Sequence, residues 1–236
     1  MHETGVYPSP CEVDAFTEAA VKACDRLDGV EDGIISFPDH CKIKAADLVG
    51  KNYTCNGVQK TFSASSAKVI QAAWSGSRSV SEQYGWFGIN KDAKISSNYV
   101  PTTCSANNTC HSAGGALFGN WFKYLVAKDA SFETNNMTEK QFFEALHSSL
   151  VDYTSMLGNS DPNLSNFKGA GGKIISWHGL ADEAIPPNGS ISYYEEVLKG
   201  DSNAHDFYRF FEAPGVAHCY GGPGPIPNGA MSQLIE

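Results

Sequence analysis

An aspartate and a histidine near the end of the sequence have the spacing of a catalytic acid and base. Asp182 closes the segment HGLAD, which begins at His178 directly after a β-branched run, and His218 lies in the glycine-rich loop after the next aromatic run. In one large class of serine hydrolases the acid and then the histidine follow consecutive strands in this order. Asp182 would accept the Nδ1–H of His218, which would then act as general base and general acid. Spacing alone leaves two other interpretations open. Asp182 and His218 are surface residues in the first, and in the second His178, as a residue at the end of a strand, is structural or lines a pocket.

The sequence lacks the motif in which the nucleophilic serine of such a triad usually lies. No G-x-S-x-G segment, which places a serine on a sharp turn between a strand and a helix, occurs in the sequence. The nearest match is Ser112 in CHSAGG, a polar loop with no apolar strand before it to aim the side chain. Ser112 acting with Asp182 and His218 in an unrelated hydrolase is therefore a minor alternative.

A second group of residues has the chemistry of a calcium loop. Three aspartates within residues 25–32 repel one another strongly unless a cation lies between them. Ca²⁺ takes about six to eight oxygen ligands, so backbone carbonyls must supply part of the shell, and Gly29 and Gly33 let the chain curl enough to present them. The predicted ligands are the side chains of Asp25, Asp28 and Asp32 and the carbonyls of Val30 and Ile34. The cysteines that bracket the loop, Cys24 and Cys41, favour this interpretation over a solvated acidic turn.

Periodicity predicts the elements that would hold these residues. Residues 76–120 have no clear period and are expected to be irregular. From Gly171 onward a strand, a loop, a helix and a second strand follow one another, which is the order of a βαβ unit and indicates an α/β fold. The predicted helices cover 12–23, 63–75 with Ser63 as N-cap, 121–128, 137–157 with Thr138 as N-cap, and 191–200 closed by Gly200, and the predicted strands cover 173–177 and 206–212.

Composition narrows the classes of protein to which the chain can belong. The 236 residues carry 17 basic and 26 acidic side chains, a net charge of −9, so no nucleic-acid partner is expected. No stretch reaches the ~20 apolar residues that span a bilayer, so no membrane partner is expected. Seven cysteines together with the N-x-[ST] sequons favour a secreted, oxidised glycoprotein. The sequons begin at Asn52, Asn107, Asn136, Asn163 and Asn188.

Several segments together resemble the tannase/feruloyl esterase family, chiefly its secreted fungal members. The matching segments are CDRLDGVEDGII (24–35), GGKIISWHGLADEAIPP (171–187), YYEEVL (193–198) and FYRFFEAPGVAHCYGGPG (207–224). The resemblance implies an α/β-hydrolase serine esterase with an inserted lid, in which Asp182 is the triad acid, His218 is the triad base and the acidic loop holds a structural Ca²⁺. It also implies substrates that are aromatic-acid esters of plant polyphenols or cell walls, of feruloyl or galloyl type.

The resemblance further implies a pairing for the cysteines, whose odd number otherwise indicates a free thiol or an intermolecular bridge. Cys24 and Cys41 match the family's closure of the calcium loop. Cys219 matches a cysteine that is bonded to one just before the nucleophilic serine. Besides Cys24–Cys41, we expect Cys104–Cys110 as a short local bridge, and Cys11–Cys55 as the pair that then remains in the lid.

One departure from the family pattern bears directly on function. The Cys-Ser-x-Gly-Gly nucleophile segment is absent from the 236 residues, and residues 1–10 lack the basic and apolar regions of a signal peptide. We therefore expect a C-terminal fragment with the lid in 1–162 and the last part of the hydrolase domain in 163–236. Such a fragment would be inactive alone, and Cys219 would bond to the missing N-terminal part of the same protein. The alternative is a catalytically dead, calcium-stabilised secreted binding module.

Overall fold

The computed structural model describes residues 1–79, 81, 84–107 and 109–235 of the chain. Its α-helices are Pro10–Cys24 (α1), Ala64–Ser75 (α2), Ala116–Trp121 (α3), Glu139–Leu157 (α4), Ser165–Gly169 (α5), Pro187–Gly200 (α6) and Ala230–Ile235 (α7). Its strands are Asn52–Cys55 (β1), Val58–Thr61 (β2), Ser77–Arg78 (β3), Tyr84–Trp86 (β4), Thr102–Cys104 (β5), Cys110–Ser112 (β6), Ile174–Gly179 (β7) and Tyr208–Ala213 (β8). Short 3₁₀ helices cover His2–Thr4, Asp25–Asp28, Pro38–His40, Ala45–Leu48, Thr134–Asn136 and Ala204–Asp206, and a turn of π-helix covers Phe122–Val126.

A first hydrophobic core forms around α1 and α2. The hydroxyl of Ser9 accepts a backbone N–H of the first turn of α1, and proline occupies the first helical position, where no N–H is needed. The buried face of α1 includes Val13, Phe16 and Ala20, at the three- to four-residue spacing of an amphipathic helix. Phe16 packs against Phe62 with ring centroids 4.4 Å apart. The helix predicted over 12–23 is confirmed.

The N-caps predicted for two other helices are also confirmed. Ser63 accepts the N–H of Ser66 at 3.0 Å where α2 begins. Thr138 forms a capping box with Gln141 at the start of α4. No residue of α4 is fully buried. In the described part of the chain, none of the helices is both long enough and apolar enough to cross a lipid bilayer.

The segment 76–120, predicted to be irregular, contains short hairpins and the start of a helix. β3 pairs antiparallel with β4, and β5 pairs antiparallel with β6. Strands of two or three residues are too short for an alternation of apolar and polar side chains to be detected. α3 begins at Ala116, ahead of the helix predicted over 121–128, and passes into the π-helical turn.

The C-terminal part is built on the parallel pair of β7 and β8, with Ile174 opposite Tyr208 and Gly179 opposite Ala213. α6 lies between these strands in the sequence, so the predicted βαβ order is confirmed. α6 begins at Pro187, before its predicted start, because the restricted φ of proline suits the first helical position. The buried members of a second hydrophobic core are Val197, Ala204, Phe207 and Tyr208.

All seven cysteines lie in the described part of the chain. The disulfides are Cys11–Cys55, Cys24–Cys41 and Cys104–Cys110, which are the three pairs expected from the sequence. Cys219 is unpaired and exposed. Cys24 and Cys41 pack with Ile35 in a small buried apolar cluster, so this bridge also contributes to the core.

Candidate active site

The ends of β7 and β8 bring the predicted acid and base onto neighbouring loops. The two strands are parallel, so the loops that follow them leave the same edge of the sheet. The N–H of Leu180 donates to the carbonyl of Ala213 at 2.9 Å, and the N–H of Ala181 donates to the carbonyl of Val216 at 3.0 Å. Gly179 permits this approach, since a Cβ there would lie 2.2 Å from the carbonyl oxygen of Val216. The two loops are therefore joined through their backbones.

Asp182 lies in the first loop with its carboxylate at the centre of a hydrogen-bond network. The residue is 3% exposed. Oδ1 accepts the N–H groups of Ala184 and Ile185, both at 2.8 Å. Oδ2 lies 3.1 Å from Nε2 of His178 and 3.0 Å from Nδ1 of His218. Burial raises the pKa of Asp182, but the hydrogen bonds from these four partners outweigh it and lower the pKa to about 2, so the group is an ionised acceptor at neutral pH.

The two histidines that contact Asp182 differ in what their second nitrogen can do. The side chain of His178 is 12% exposed, and its Nδ1 lies 2.8 Å from Oγ of Ser190, so both of its nitrogens are occupied. His218 reaches Asp182 through Nδ1, and its side chain is 43% exposed. No hydrogen bond from another described residue reaches Nε2 of His218. Of the two, His218 presents a free nitrogen, and His178 belongs to a buried network.

The loop that carries His218 is tightly turned. The N–H of His218 donates to Oε2 of Glu183 at 3.1 Å, which holds His218 beside the residue that follows Asp182. The N–H of Tyr220 donates to the carbonyl of His218 at 2.7 Å. Cys219, between them, has a φ of +60°, in the left-handed region that residues with a side chain rarely adopt. The exposed thiol of Cys219 therefore lies on a constrained turn directly after the histidine.

Residues of the N-terminal part also reach this site. Asn90 donates its side-chain amide to the carbonyl of Leu180 at 2.9 Å. Burial and then the charge of Asp182 raise the pKa of the Tyr99 hydroxyl, which places Tyr99 near the same carboxylate. No sequence motif marks Asn90 or Tyr99, because their role depends on contacts between residues distant along the chain. Position in the HGLADEAIPP segment is the one signal that would have drawn attention to Glu183.

Ser112, the minor candidate nucleophile, lies at the end of β6. Its hydroxyl donates to Oδ1 of Asn135 at 3.2 Å and accepts the N–H of Gly114 at 3.2 Å. None of the hydrogen bonds within the described residues joins Ser112 to His218. Its partners are thus those of a hairpin residue.

The acidic loop between Cys24 and Cys41 is ordered by its own backbone. Its bonds run from the N–H groups of Asp32 and Gly33 to Oδ1 of Asp25 (3.1 and 3.0 Å), from Val30 to Oδ1 of Asp28 (2.9 Å) and from Ile34 to Oδ1 of Asp32 (3.1 Å). Each predicted carboxylate ligand therefore uses one oxygen to shape the loop. Carboxylate and carbonyl oxygens are the ligands that suit Ca²⁺. Among the residues that the structure describes, no three His, Cys, Asp or Glu side chains are gathered as a metal-binding group, so the structure does not bring the carboxylates of Asp25, Asp28 and Asp32 together as one ligand set.

Comparison with known proteins places this arrangement in a family. The family profile described as "Tannase and feruloyl esterase" matches residues 1–236. A probable feruloyl esterase of Arthroderma benhamiae is 34% identical over 243 residues, which cover 100% of this chain and 44% of that protein. A tannase of Aspergillus oryzae is 26% identical over 280 residues, which cover 98% of this chain and 47% of that protein.

Solved structures share the fold. Tannin acyl hydrolase from Aspergillus niger matches with a TM-score of 0.89 at 26% identity, over 99% of this chain and 46% of that one. Feruloyl esterase B from Aspergillus oryzae matches with a TM-score of 0.77 at 21% identity, over 98% of this chain and 47% of that one. The chain thus spans less than half the length of these relatives. Because the family profile covers every residue, the chain belongs to the tannase and feruloyl esterase family.

Proposed function

We propose that these residues carry the acid and the base of a serine carboxylic ester hydrolase that cleaves aromatic-acid esters of feruloyl or galloyl type. The observation that carries the proposal is the 3.0 Å contact between Nδ1 of His218 and Oδ2 of Asp182. Because Asp182 is ionised, it accepts the Nδ1 proton and selects the ring tautomer in which Nε2 is unprotonated. The substrate class follows from family membership, since the relatives are named as feruloyl esterases and tannases.

In this arrangement Nε2 of His218 takes the proton of a serine hydroxyl as the serine oxygen attacks the ester carbonyl. The same nitrogen then gives the proton to the departing alcohol. Asp182 stabilises the imidazolium that exists between these two transfers and stays ionised, since its own pKa is about 2. In the second half of the reaction Nε2 deprotonates a water molecule that releases the aromatic acid.

The serine is proposed to come from a segment outside these 236 residues, because they contain neither G-x-S-x-G nor Cys-Ser-x-Gly-Gly. Cys219 is the proposed point at which that segment is bonded by a disulfide, since its thiol is exposed, unpaired and adjacent to His218. Such a bond would hold the serine near Nε2. The chain alone is proposed to be inactive, because triad members act as a unit and the base has no hydroxyl to deprotonate.

We propose that residues 1–162 serve as a lid and that residues 163–236 belong to the hydrolase domain. In support, one hydrophobic core takes its buried members from Val13 to Val100, and another takes them from Val197 to Tyr208. Secretion is supported by the three disulfides, which persist mainly in oxidising compartments. Glycosylation is supported by the exposure of four sequon asparagines, Asn52, Asn107, Asn136 and Asn163.

A structural Ca²⁺ in the acidic loop is part of the proposal. It would be held by the carboxylates of Asp25, Asp28 and Asp32 and the carbonyls of Val30 and Ile34. Support comes from the donor chemistry and from the Cys24–Cys41 bridge, which closes the loop. The ion would offset the repulsion among the carboxylates, and no step of ester cleavage is assigned to it.

Reconstitution tests the proposal. The 236 residues, alone and fused to the serine-bearing segment of the Aspergillus niger tannin acyl hydrolase, would be assayed with methyl ferulate and methyl gallate. We expect no turnover by the chain alone, turnover by the fusion, and loss of that turnover with His218→Ala. The preferred ester assigns the substrate class.

Two results would contradict the proposal in different ways. A folded fusion without turnover would remove the esterase assignment and leave the inactive binding module. Turnover by the isolated chain would show that the serine lies within it, and Ser112→Ala would then identify or exclude Ser112.

A further inference from the structure

His178, which the proposed mechanism does not use, is fully engaged in hydrogen bonds beside Asp182. Its Nδ1 lies 2.8 Å from Oγ of Ser190. Its Nε2 lies 3.1 Å from Oδ2 of Asp182 and 3.2 Å from the carbonyl oxygen of Ile185. Ser190 belongs to the first turn of α6, so the start of that helix at Pro187 sets the hydroxyl beside the end of β7.

The partners of His178 determine which of its nitrogens carries the proton. The Ile185 carbonyl and the ionised Asp182 carboxylate can only accept, so Nε2 must donate. In a neutral imidazole the other nitrogen is an acceptor, and the Ser190 hydroxyl can donate to it. A doubly protonated His178 would place a cation on the oxygen that His218 uses when it becomes imidazolium, and the two charges would repel. A neutral Nε2–H ring avoids that repulsion.

We propose that His178 is a positioning residue for the triad acid, a role that rests on the esterase function proposed above. The Asp182 carboxylate and the Ile185 carbonyl hold the ring as the Nε2–H tautomer, and Ser190 donates to Nδ1 and fixes the orientation of the ring. Nε2 then holds Oδ2 of Asp182 at the place where Nδ1 of His218 meets it. Two loop N–H groups hold Oδ1 and Nε2 of His178 holds Oδ2, so His178 restrains rotation of the carboxylate from the side that His218 meets. His178 cannot replace His218 as the base, because neither of its nitrogens is free.

A first test reads the tautomer in the 236-residue chain and needs no catalysis. Long-range ¹H–¹⁵N NMR spectra distinguish a protonated ring nitrogen from an unprotonated one. We expect Nε2 of His178 to be protonated and Nδ1 to be unprotonated at neutral pH. Ser190→Ala should shift the ¹⁵N resonance of Nδ1, which loses its donor, while Nε2 stays protonated. A wild-type ring protonated at Nδ1 or at both nitrogens, or a spectrum that Ser190→Ala does not change, would overturn the inference.

Two control variants separate the hydroxyl from the glycosylation sequon that contains it. Ser190→Thr keeps both the hydroxyl and the sequon and should retain the wild-type spectrum. Asn188→Gln removes the sequon, as Ser190→Ala does, but leaves the hydroxyl, and should also retain it. A change produced by Asn188→Gln equal to that of Ser190→Ala would assign the effect to the sequon and overturn the role of the hydroxyl.

A second test separates positioning from general structural support, using the serine-bearing fusion. We expect His178→Phe, which keeps a planar ring without a donor, to lower kcat by about 10- to 100-fold with KM unchanged, since small misplacements of catalytic groups have effects of this size. His178→Gln, whose amide can donate from near the position of Nε2, should recover most of the loss. Equal losses for Phe and Gln, or a loss confined to KM, would overturn the inference.

Separate control measurements distinguish a failure to fold from a loss of catalysis. If thermal unfolding shows that a His178 variant does not fold, the Ser190 variants take its place: Ser190→Ala must lower kcat, and Ser190→Thr must retain it. Equal kcat values for the two Ser190 variants would overturn the inference. A folded wild-type fusion without turnover would defeat the esterase proposal by itself. The tautomer measured in the chain would still decide whether Ser190 and Asp182 hold His178 as described.

Discussion

Asn90 donates its side-chain amide to the carbonyl of Leu180 at 2.9 Å, although 90 positions separate the two residues. Leu180 is buried and lies two residues before Asp182, so the proposed lid is bonded directly to the turn that carries the proposed acid. Tyr99, also in the proposed lid, comes close enough to the same carboxylate for its pKa to be raised by that charge in addition to burial. The position of Asp182 therefore depends on both parts of the chain.

Replacing Asp182 by asparagine should disable the proposed base. The amide of asparagine donates toward Nδ1 of His218, which favours the tautomer that carries its proton on Nε2. We expect Asp182→Asn to lower kcat of the serine-bearing fusion for methyl ferulate by about 10⁴-fold, the size of the effect when a triad acid is changed in this way. Ser112→Ala is the control, since the Ser112 hydroxyl bonds within a hairpin, and should leave turnover unchanged. A loss of less than tenfold with Asp182→Asn would contradict the role of the acid.

The low pKa of Asp182 should make the folded chain less stable in acid. On folding, the pKa of Asp182 falls from 3.8 to about 2, because hydrogen bonds from the two histidines and two N–H groups exceed the opposing effect of burial. A lowered pKa stabilises the folded state above pH ~4, and this contribution is lost as pH falls through ~2. Allowing for solvent screening, the contribution is about 1–2 kcal/mol. Urea unfolding of wild type and Asp182→Asn should show their free-energy difference shrinking by this amount across that range, and a constant difference would be evidence against it.

The buried carboxyl group of Asp92 should make the free energy of unfolding depend on pH in the opposite direction. Both of its carboxyl oxygens are buried without a hydrogen-bond partner among the described residues. Burial raises the pKa of Asp92 from 3.8 to about 7, and the nearby N–H groups of Asp92 itself and Ile35 lower it only in part. The folded state then holds the proton more tightly than the unfolded state, so the contribution of Asp92 to stability falls as pH rises from ~4 to ~7.

Asp92→Asn removes this titration and is the measurement to make. The variant should gain about 2–4 kcal/mol in free energy of unfolding, relative to wild type, between pH ~4.5 and pH ~7.5. Asp152→Asn, at an exposed position of α4, is the matched control and should show no such gain. If the two variants behave alike, Asp92 does not titrate as its burial predicts.

Calcium removal should destabilise the acidic loop. With the ion at about 100 times its Kd, binding contributes about 2.7 kcal/mol, which corresponds to a change in Tm of about 5–10 °C for a chain of this size. We expect Tm to fall by this amount when EGTA replaces Ca²⁺, and Asp25→Asn to abolish the difference while its Oδ1 still accepts the loop N–H groups. Asp39→Asn, an exposed change in the same loop at a residue that is not a proposed ligand, should leave the calcium effect intact. Equal Tm values in calcium and in EGTA would argue for a solvated acidic turn.

Elements decided within a few residues could be predicted from the sequence. Ser63 and Thr138 cap their helices because a hydroxyl needs only the N–H two or three positions ahead. The βαβ order is readable because each of its elements is long enough to show a period. The hairpins within 76–120 could not be predicted, because strands of two or three residues are too short to show a period. They are held instead by their partner strands and, in one case, by the Cys104–Cys110 bridge.

The sequence alone was enough to indicate the family, the order in which the proposed acid and base follow one another, and the unpaired cysteine next to His218. It left open whether His178 or His218 presents a free nitrogen, because both histidines lie at the end of a strand or just beyond one. Folding settles the difference, because it brings Ser190 of α6 against Nδ1 of His178, while no described residue is hydrogen-bonded to Nε2 of His218. The physical reason is that a nitrogen's proton is assigned by its hydrogen-bond partners, and those partners come from elements that only folding brings together.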